Sequence, residues 1–157
     1  MNRPITGFHR DHEAHWVAEL SCGHGRHVRH DPPFTERAWV ESPEEREARI
    51  GSPLNCVRCD RLELPEGFEP YRRTPSFTEA TTPEALHRDH ATKSGIWGLI
   101  HVAQGRLDYH VHPPLARHDV LTSASPGVIA PEVRHRVSAS EPVEFCVEFW
   151  RRREVAP

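Results

Sequence analysis

Apolar and polar positions along this chain alternate in short runs, and a helical period is nearly absent. Residues 15–20, HWVAEL, read as a short strand that runs into SCGHGRHVRHDPPF, where Gly, Pro and Asp mark tight turns. Residues 43–50, PEEREARI, place Pro at a helix start with acids in the first turn and Arg later, which predicts a short helix. Residues 51–59, GSPLNCVRC, are turn-rich again. The apolar positions of this part, Trp16, Val17, Leu20, Phe34, Trp39, Val40 and Leu54, make too small a core to hold it, so another cross-link is required.

The pattern changes near residues 60–65. A Pro- and Glu-rich stretch, RLELPEGFEPYRRTPSFTEATTP, reads as a connecting segment ending in an edge strand around residues 71–77. Beyond it come strands: residues 95–102, GIWGLIHV, then a turn at Gly105 before RLDYHV, then residues 128–130, 133–137 and 143–150. Short strands joined by Gly and Pro turns predict a mainly β protein, a sandwich or a closed barrel. The expected division is residues 1–61 and 62–157.

Composition changes this picture in one respect. The 157 residues are 27% charged and 36% hydrophobic with a net charge of −3, which allows a modest core and predicts no broad attraction to nucleic acid or anionic lipid. No apolar run approaches the roughly 18 residues that cross a bilayer, and MNRPITGFHRDHEAHW lacks the apolar centre of a signal peptide, so a soluble cytoplasmic protein is expected. Histidine is the outlier, at 13 residues. Cys22, Cys56 and Cys59 stand apart from Cys146. In a reducing compartment three clustered cysteines among histidines suit a metal better than disulfides.

Cys22-Gly-His24, followed by His27 and His30 and then by Cys56-Val-Arg-Cys59, has the form of two zinc knuckles. A C-x-x-C turn holds two thiolates about one ion, and a second knuckle from a distant segment completes a tetrahedron. The expected ligands of a structural zinc are Cys22, His24, Cys56 and Cys59, with His27 or His30 as alternates for His24. A redox role for the C-x-x-C would need a thioredoxin-like βαβ context, which is missing. Arg26, Arg29, Arg37 and Arg58 could contact phosphates, but Asp31, Glu36, Glu41, Glu44 and Glu45 dilute that patch. The run Ile5-Thr-Gly-Phe-His9, Trp16-Val-Ala, Cys22-Gly-His24, His27-Val-Arg-His30-Asp-Pro-Pro33 and Cys56-Val-Arg-Cys59 resembles a small bacterial domain family of no known activity, over about the first 61 residues.

The second part resembles the cupin-like domain family associated with tellurite-resistance proteins. The matching residues are Leu64-Pro65, Tyr71-Arg-Arg-Thr-Pro75-Ser-Phe77, His90-Ala-Thr-Lys-Ser-Gly-Ile-Trp-Gly98, Gly105-Arg-Leu107, Ile129-Ala-Pro131, His135 and Phe145-Cys-Val-Glu-Phe149. That resemblance implies a small cupin-type β-barrel, a double-stranded β-helix, with one bound divalent metal and a role in oxyanion or nitrosative stress. The residues agree in part. His90, His135 and Glu148 are the candidate barrel ligands for zinc or iron, since a two-His-one-carboxylate set leaves positions open for small ligands. Alternation puts Glu144, Cys146 and Glu148 on one strand face and Val143, Phe145, Val147 and Phe149 on the other. His110-Val-His112 is a rival pair, and Lys93 and Cys146 are candidate pocket neighbours.

Three functions follow. The first is a metal-binding stress protein that takes a small molecule or anion in the barrel while the zinc module stabilises it or recruits a partner. The second is a metal-dependent oxygenase or isomerase, and the third a zinc-module regulator that binds nucleic acid or a partner protein; the sequence leaves open whether the protein is an enzyme. Exposed edge strands would favour a homodimer.

Overall fold

The computed structural model describes residues 1–154, and these form two compact units, Met1–Arg58 and Cys59 onward, divided within one helical turn. Both are mainly β. Among the described residues no helix is long and apolar enough to cross a membrane.

The first unit contains β1 (Asn2–Arg10), β2 (Trp16–Leu20), β3 (Gly25–His27), the short helix α1 (Pro43–Glu47) and β4 (Pro53–Asn55), and it runs into α2 (Val57–Asp60). The four strands form one sheet in the order β3-β2-β1-β4. β1 is central to it, although the sequence reading placed no strand there. Its text, NRPITGFHR, buries Arg3 and Ile5 in alternation, and the charged Arg3 hides the period. α1 starts where expected: Ser42 accepts the Glu45 N–H at 3.2 Å, Pro43 opens the helix, and Glu44 and Glu45 complement its N-terminus. Ile5, Val17, Ala18, Leu20, Val28 and Val40 are the buried aliphatic residues, a small core as anticipated. Phe34, expected among them, is 88% exposed. Trp16 and Trp39 sit at the rim, where the guanidinium of Arg46 lies 3.7 Å from the Trp16 ring and that of Arg49 lies 4.3 Å from Trp39.

The second unit holds β5 (Phe68–Arg73), β6 (Phe77–Thr78), α3 (Glu84–His87), β7 (Trp97–Gln104), β8 (Leu107–Val111), β9 (Arg117–Leu121), β10 (Gly127–Ile129), β11 (His135–Ser138) and β12 (Glu144–Arg152). One sheet runs β10-β7-β12-β5 with β6 also on β12, and the other runs β11-β8-β9. All these pairings are antiparallel. Much of the supposed connecting segment is therefore sheet, because β5 pairs with the long β12 from Glu148↔Arg73 to Arg152↔Phe68. The sheets face each other. Ile100, Val102, Phe145 and Val147 of the first and Leu107, Tyr109, Val111, Leu121 and Val137 of the second are buried, and the Tyr109 hydroxyl donates to the Val128 carbonyl at 3.0 Å.

Gly105 makes the tight β7–β8 turn at φ +81°, and a Cβ there would stand 2.2 Å from the Pro142 carbonyl oxygen. Gly67 has a similar φ of +73° with open space around it. Gly105→Ala should cost about 2 kcal/mol or more in urea unfolding, and Gly67→Ala only about 1 kcal/mol, the backbone term alone. Equal losses would mean that the Pro142 contact relaxes freely.

Candidate functional site

Two groups of chemistry-bearing side chains emerge, one at the end of the first unit and one in the second. β2 ends at Leu20 in a turn closed by Gly23 N–H to Leu20 O at 2.8 Å and by Leu20 N–H to His24 O at 3.0 Å, with Gly23 at φ +91°. This knuckle carries Cys22 and His24. The Cys56 N–H donates to the Met1 carbonyl at 2.7 Å, which ties the second knuckle to the start of β1, and Cys59 follows on α2. The four donors lie within 4.8 Å of one another and all four residues are buried. Cys22 Sγ is 3.5 Å and Cys56 Sγ 3.4 Å from His24 Nδ1, and the two sulfurs are 3.9 Å apart.

These separations test whether zinc fits. Zinc at about 2.3 Å from sulfur and 2.0–2.1 Å from nitrogen sets tetrahedral S–S edges near about 3.8 Å and S–N edges near about 3.5 Å. The edges among Cys22, His24 and Cys56 match both, and Cys59 lies within 4.8 Å of each. Burial works against a charged His24, yet the sulfurs of Cys22 and Cys56 at Nδ1 overcome it and push the imidazole up to about 9. The site draws positive charge inward. His27 and His30 are engaged elsewhere: His27 Nε2 lies 2.8 Å from Asp11 Oδ2, and His30 Nδ1 accepts the Arg37 N–H at 2.9 Å.

In the second unit a cavity of about 450 Å³ opens among β5, β6, β10, β11, β12 and the segment before β7. Phe77, Leu86, Ile96, Ile129, Val147 and Phe149 give it apolar walls, and Tyr71, Arg72, Lys93, His90 and His135 supply its ionisable groups. His90 and His135 exchange both backbone hydrogen bonds, at 3.0 and 2.8 Å, and their rings stand 4.3 Å apart. Each Nδ1 lies 2.9 Å from a backbone carbonyl, Arg88 for His90 and Val133 for His135. A carbonyl only accepts, so Nδ1 carries a proton in each ring. Burial, the dominant cause, pushes His135 down to about 4; His90 and His112 add to it, while the Val133 carbonyl opposes it.

Glu148 does not join the two histidines. It lies on the opposite face of β12, in a separate hollow with Arg73, His101 and Cys146, where its carboxylate accepts the Trp150 indole N–H at 2.8 Å. The strand alternation that sends Val147 and Phe149 into the cavity sends Glu148 away from it. Among the described residues no carboxylate lines the cavity, so the expected two-His-one-carboxylate set is not assembled there. Cys146 is likewise removed from the cavity, its sulfur meeting Arg73 Nε at 3.2 Å and Nη2 at 3.1 Å. His110 stacks on His118 at 4.1 Å and His112 pairs with Asp89 at 2.7 Å, so the H-V-H pair is spent on local contacts. Lys93 is a cavity residue as anticipated, and Arg72, which sequence reasoning passed over, is another. Its only signal was its place in the Tyr71-Arg-Arg run, where either arginine could have faced inward.

Fold and site together define a two-part β protein with a buried three-cysteine, one-histidine cluster in one part and a histidine-lined cavity in the other. Residues 6–63 match the family described as "Protein of unknown function (DUF3565)", and residues 72–147 match the TehB-like domain. Among solved structures, TehB from Haemophilus influenzae aligns over 55% of this chain and 32% of its own, at 24% identity and a TM-score of 0.51. A protein from Escherichia coli strain K12 aligns over 59% of this chain and 98% of its own, at 21% identity and a TM-score of 0.53. The aligned region thus spans about a third of the length of that TehB. These likenesses concern the fold. None of the curated proteins matches the chain.

Because His135 falls from its ordinary 6.5 to about 4 on folding, the unfolded chain binds the extra proton between those values. The stability it contributes is complete above about pH 6.5 and is lost as pH falls toward 4, on the order of 3 kcal/mol in all. Urea unfolding across that range should give a steep slope for the wild type and a flatter one for His135→Gln. Parallel slopes would place the acid sensitivity elsewhere.

Proposed function

We propose that the protein is a zinc-stapled binding protein of the tellurite-resistance class, whose second unit is a cupin-type barrel that takes a small oxyanion. The TehB-like match and the two facing antiparallel sheets support the barrel and the class. The reading is carried by the cavity lining. Among the described residues, which include all 23 acidic ones, no Asp or Glu lines a cavity that Arg72 and Lys93 both line. Such a lining favours anions. His135, kept neutral by burial, refines the choice, since its Nε2 accepts a hydrogen bond and would repel a fully deprotonated anion. A compact oxyanion that still carries a hydroxyl satisfies both, its charge on the cationic side chains and its O–H on an imidazole. A metal-dependent oxygenase or isomerase would need a third ligand that the lining does not provide, so binding is the preferred activity.

Cys22, His24 and Cys56 of the first unit, with Cys59 one residue past the division, would hold zinc, which supplies a closed structural cross-link and no open coordination position. That role suits a unit with so few buried aliphatic residues, since structural zinc can contribute on the order of 10–16 kcal/mol to small modules. The thiols must stay reduced, which fits a cytoplasmic protein. Three arginines of this unit are engaged within it, Arg26 with the Asn55 carbonyl and Arg46 and Arg49 on tryptophans, which weakens a nucleic-acid reading.

Protein purified without chelator should retain about one zinc per chain after a brief EDTA wash, by mass spectrometry. Cys56→Ser/Cys59→Ser should lose it, and its first unit should unfold. Retention of zinc by that variant would refute the assignment. In calorimetric titration with tellurite and selenite, wild type should bind, and Arg72→Ala/Lys93→Ala should bind roughly ten-fold or more weakly. Equal affinities, or no binding by wild type, would remove the oxyanion reading.

A further inference from the structure

The cavity of the second unit, at about 450 Å³, is far larger than an inorganic oxyanion needs. Pockets that enclose organic ligands run from roughly 300 to 1,000 Å³, whereas a water takes about 30 Å³ of liquid and a compact oxyanion only a few times that. Strand register lays out the cavity floor. Arg72 pairs with Phe149, Phe149 with Gly98 and Gly98 with Ile129, so one row of side chains crosses β5, β12, β7 and β10. Arg72 and Ile129 hold the two ends of that row, three strand spacings or roughly 14 Å apart along the backbone. A cationic end and an apolar end are thus separated by the ring of Phe149.

Ordinary core packing does not account for the walls. Phe77, Leu86, Ile96 and Phe149 converge on the cavity yet each is only half-buried, so large apolar surface stays open within a concavity. The same cavity is lined by His135, which is 1% exposed; its Nδ1 meets the Val133 carbonyl, while its Nε2 is enclosed and has no hydrogen-bond partner among the described residues. In the neutral ring Nε2 is an acceptor. A buried polar atom left unpaired is costly, and a hydroxyl on a bound molecule would satisfy it. The lining therefore asks for three things in one ligand: negative charge, a hydroxyl and hydrocarbon.

We infer, on the footing of the oxyanion reading of this cavity, that the bound oxyanion is the head group of an organic acid. The head is phosphoryl-like, with one charge and one hydroxyl, and it carries a hydrocarbon body of about the size of an aromatic ring. Its charge meets Arg72 and Lys93 and its hydroxyl meets His135, while the body lies over Phe149 against Leu86 and Ile96.

The test is calorimetric titration of the full-length, zinc-carrying protein with methylphosphonate, phenylphosphonate and selenite at about pH 6, where a phosphoryl-type head still carries a hydroxyl. Phenylphosphonate should bind roughly ten-fold or more tightly than methylphosphonate, the surplus coming from the buried ring. Leu86→Ser/Ile96→Ser and, separately, the space-filling Leu86→Trp should erase that preference, with urea unfolding to show that each variant is folded. Equal affinities of wild type for the two phosphonates, or a preference that survives in both variants, overturn the inference. Selenite binding alongside either of those results leaves the oxyanion reading standing; binding of none of the three anions removes both.

Discussion

Successive side chains on a strand point to opposite faces, and in the second unit this alternation decides which residues can act together. Val147 and Phe149 line the cavity; Cys146 and Glu148, one position off, line the other side of β12. A shift of one residue in the β12 pairings would exchange the two sets, placing a carboxylate beside His90 and His135 and the apolar walls elsewhere. The register of β12 against β7, from Phe145↔Val102 to Trp150↔Trp97, therefore governs the chemistry of the cavity as well as the packing of the core.

The first unit rests on a different balance. Its sheet buries few aliphatic side chains, and its tryptophans lie at the rim beneath arginines. A unit of this size gains little from apolar burial against the entropy of ordering its loops. Cys22 and His24 on one knuckle and Cys56 and Cys59 on another are brought together by β1, which pairs with β2 on one side and β4 on the other. The backbone thus presents four donors at spacings a tetrahedral ion fits, and the same sheet sets His27 against the Asp11 turn.

The histidines of this chain serve unlike ends that composition could not separate. His24 faces cysteine sulfurs, His30 accepts a backbone N–H, His27 meets a carboxylate, and His90 and His135 each fix one ring nitrogen on a backbone carbonyl. Their roles follow from what the second ring nitrogen meets.

The knuckles Cys22-Gly-His24 and Cys56-Val-Arg-Cys59 were legible in the sequence because local spacing alone makes each one. So were β2, β7, β8, β12 and the start of α1, where alternation or capping residues stand close in the chain. β1 was not, since a buried arginine interrupts its apolar pattern, and Phe34 misled because an aromatic side chain in a Pro-rich loop found no partner and stayed exposed. The sequence by itself determined the mainly β character, the three cysteines of the cluster with His24, His27 or His30 as the fourth donor, and His90 with His135 as candidates. Only the tertiary structure decided that Glu148 faces away from them, that Arg72 faces in, and that His27 belongs to Asp11. Those outcomes depend on strand register and on contacts between segments far apart in the chain, which no local pattern encodes.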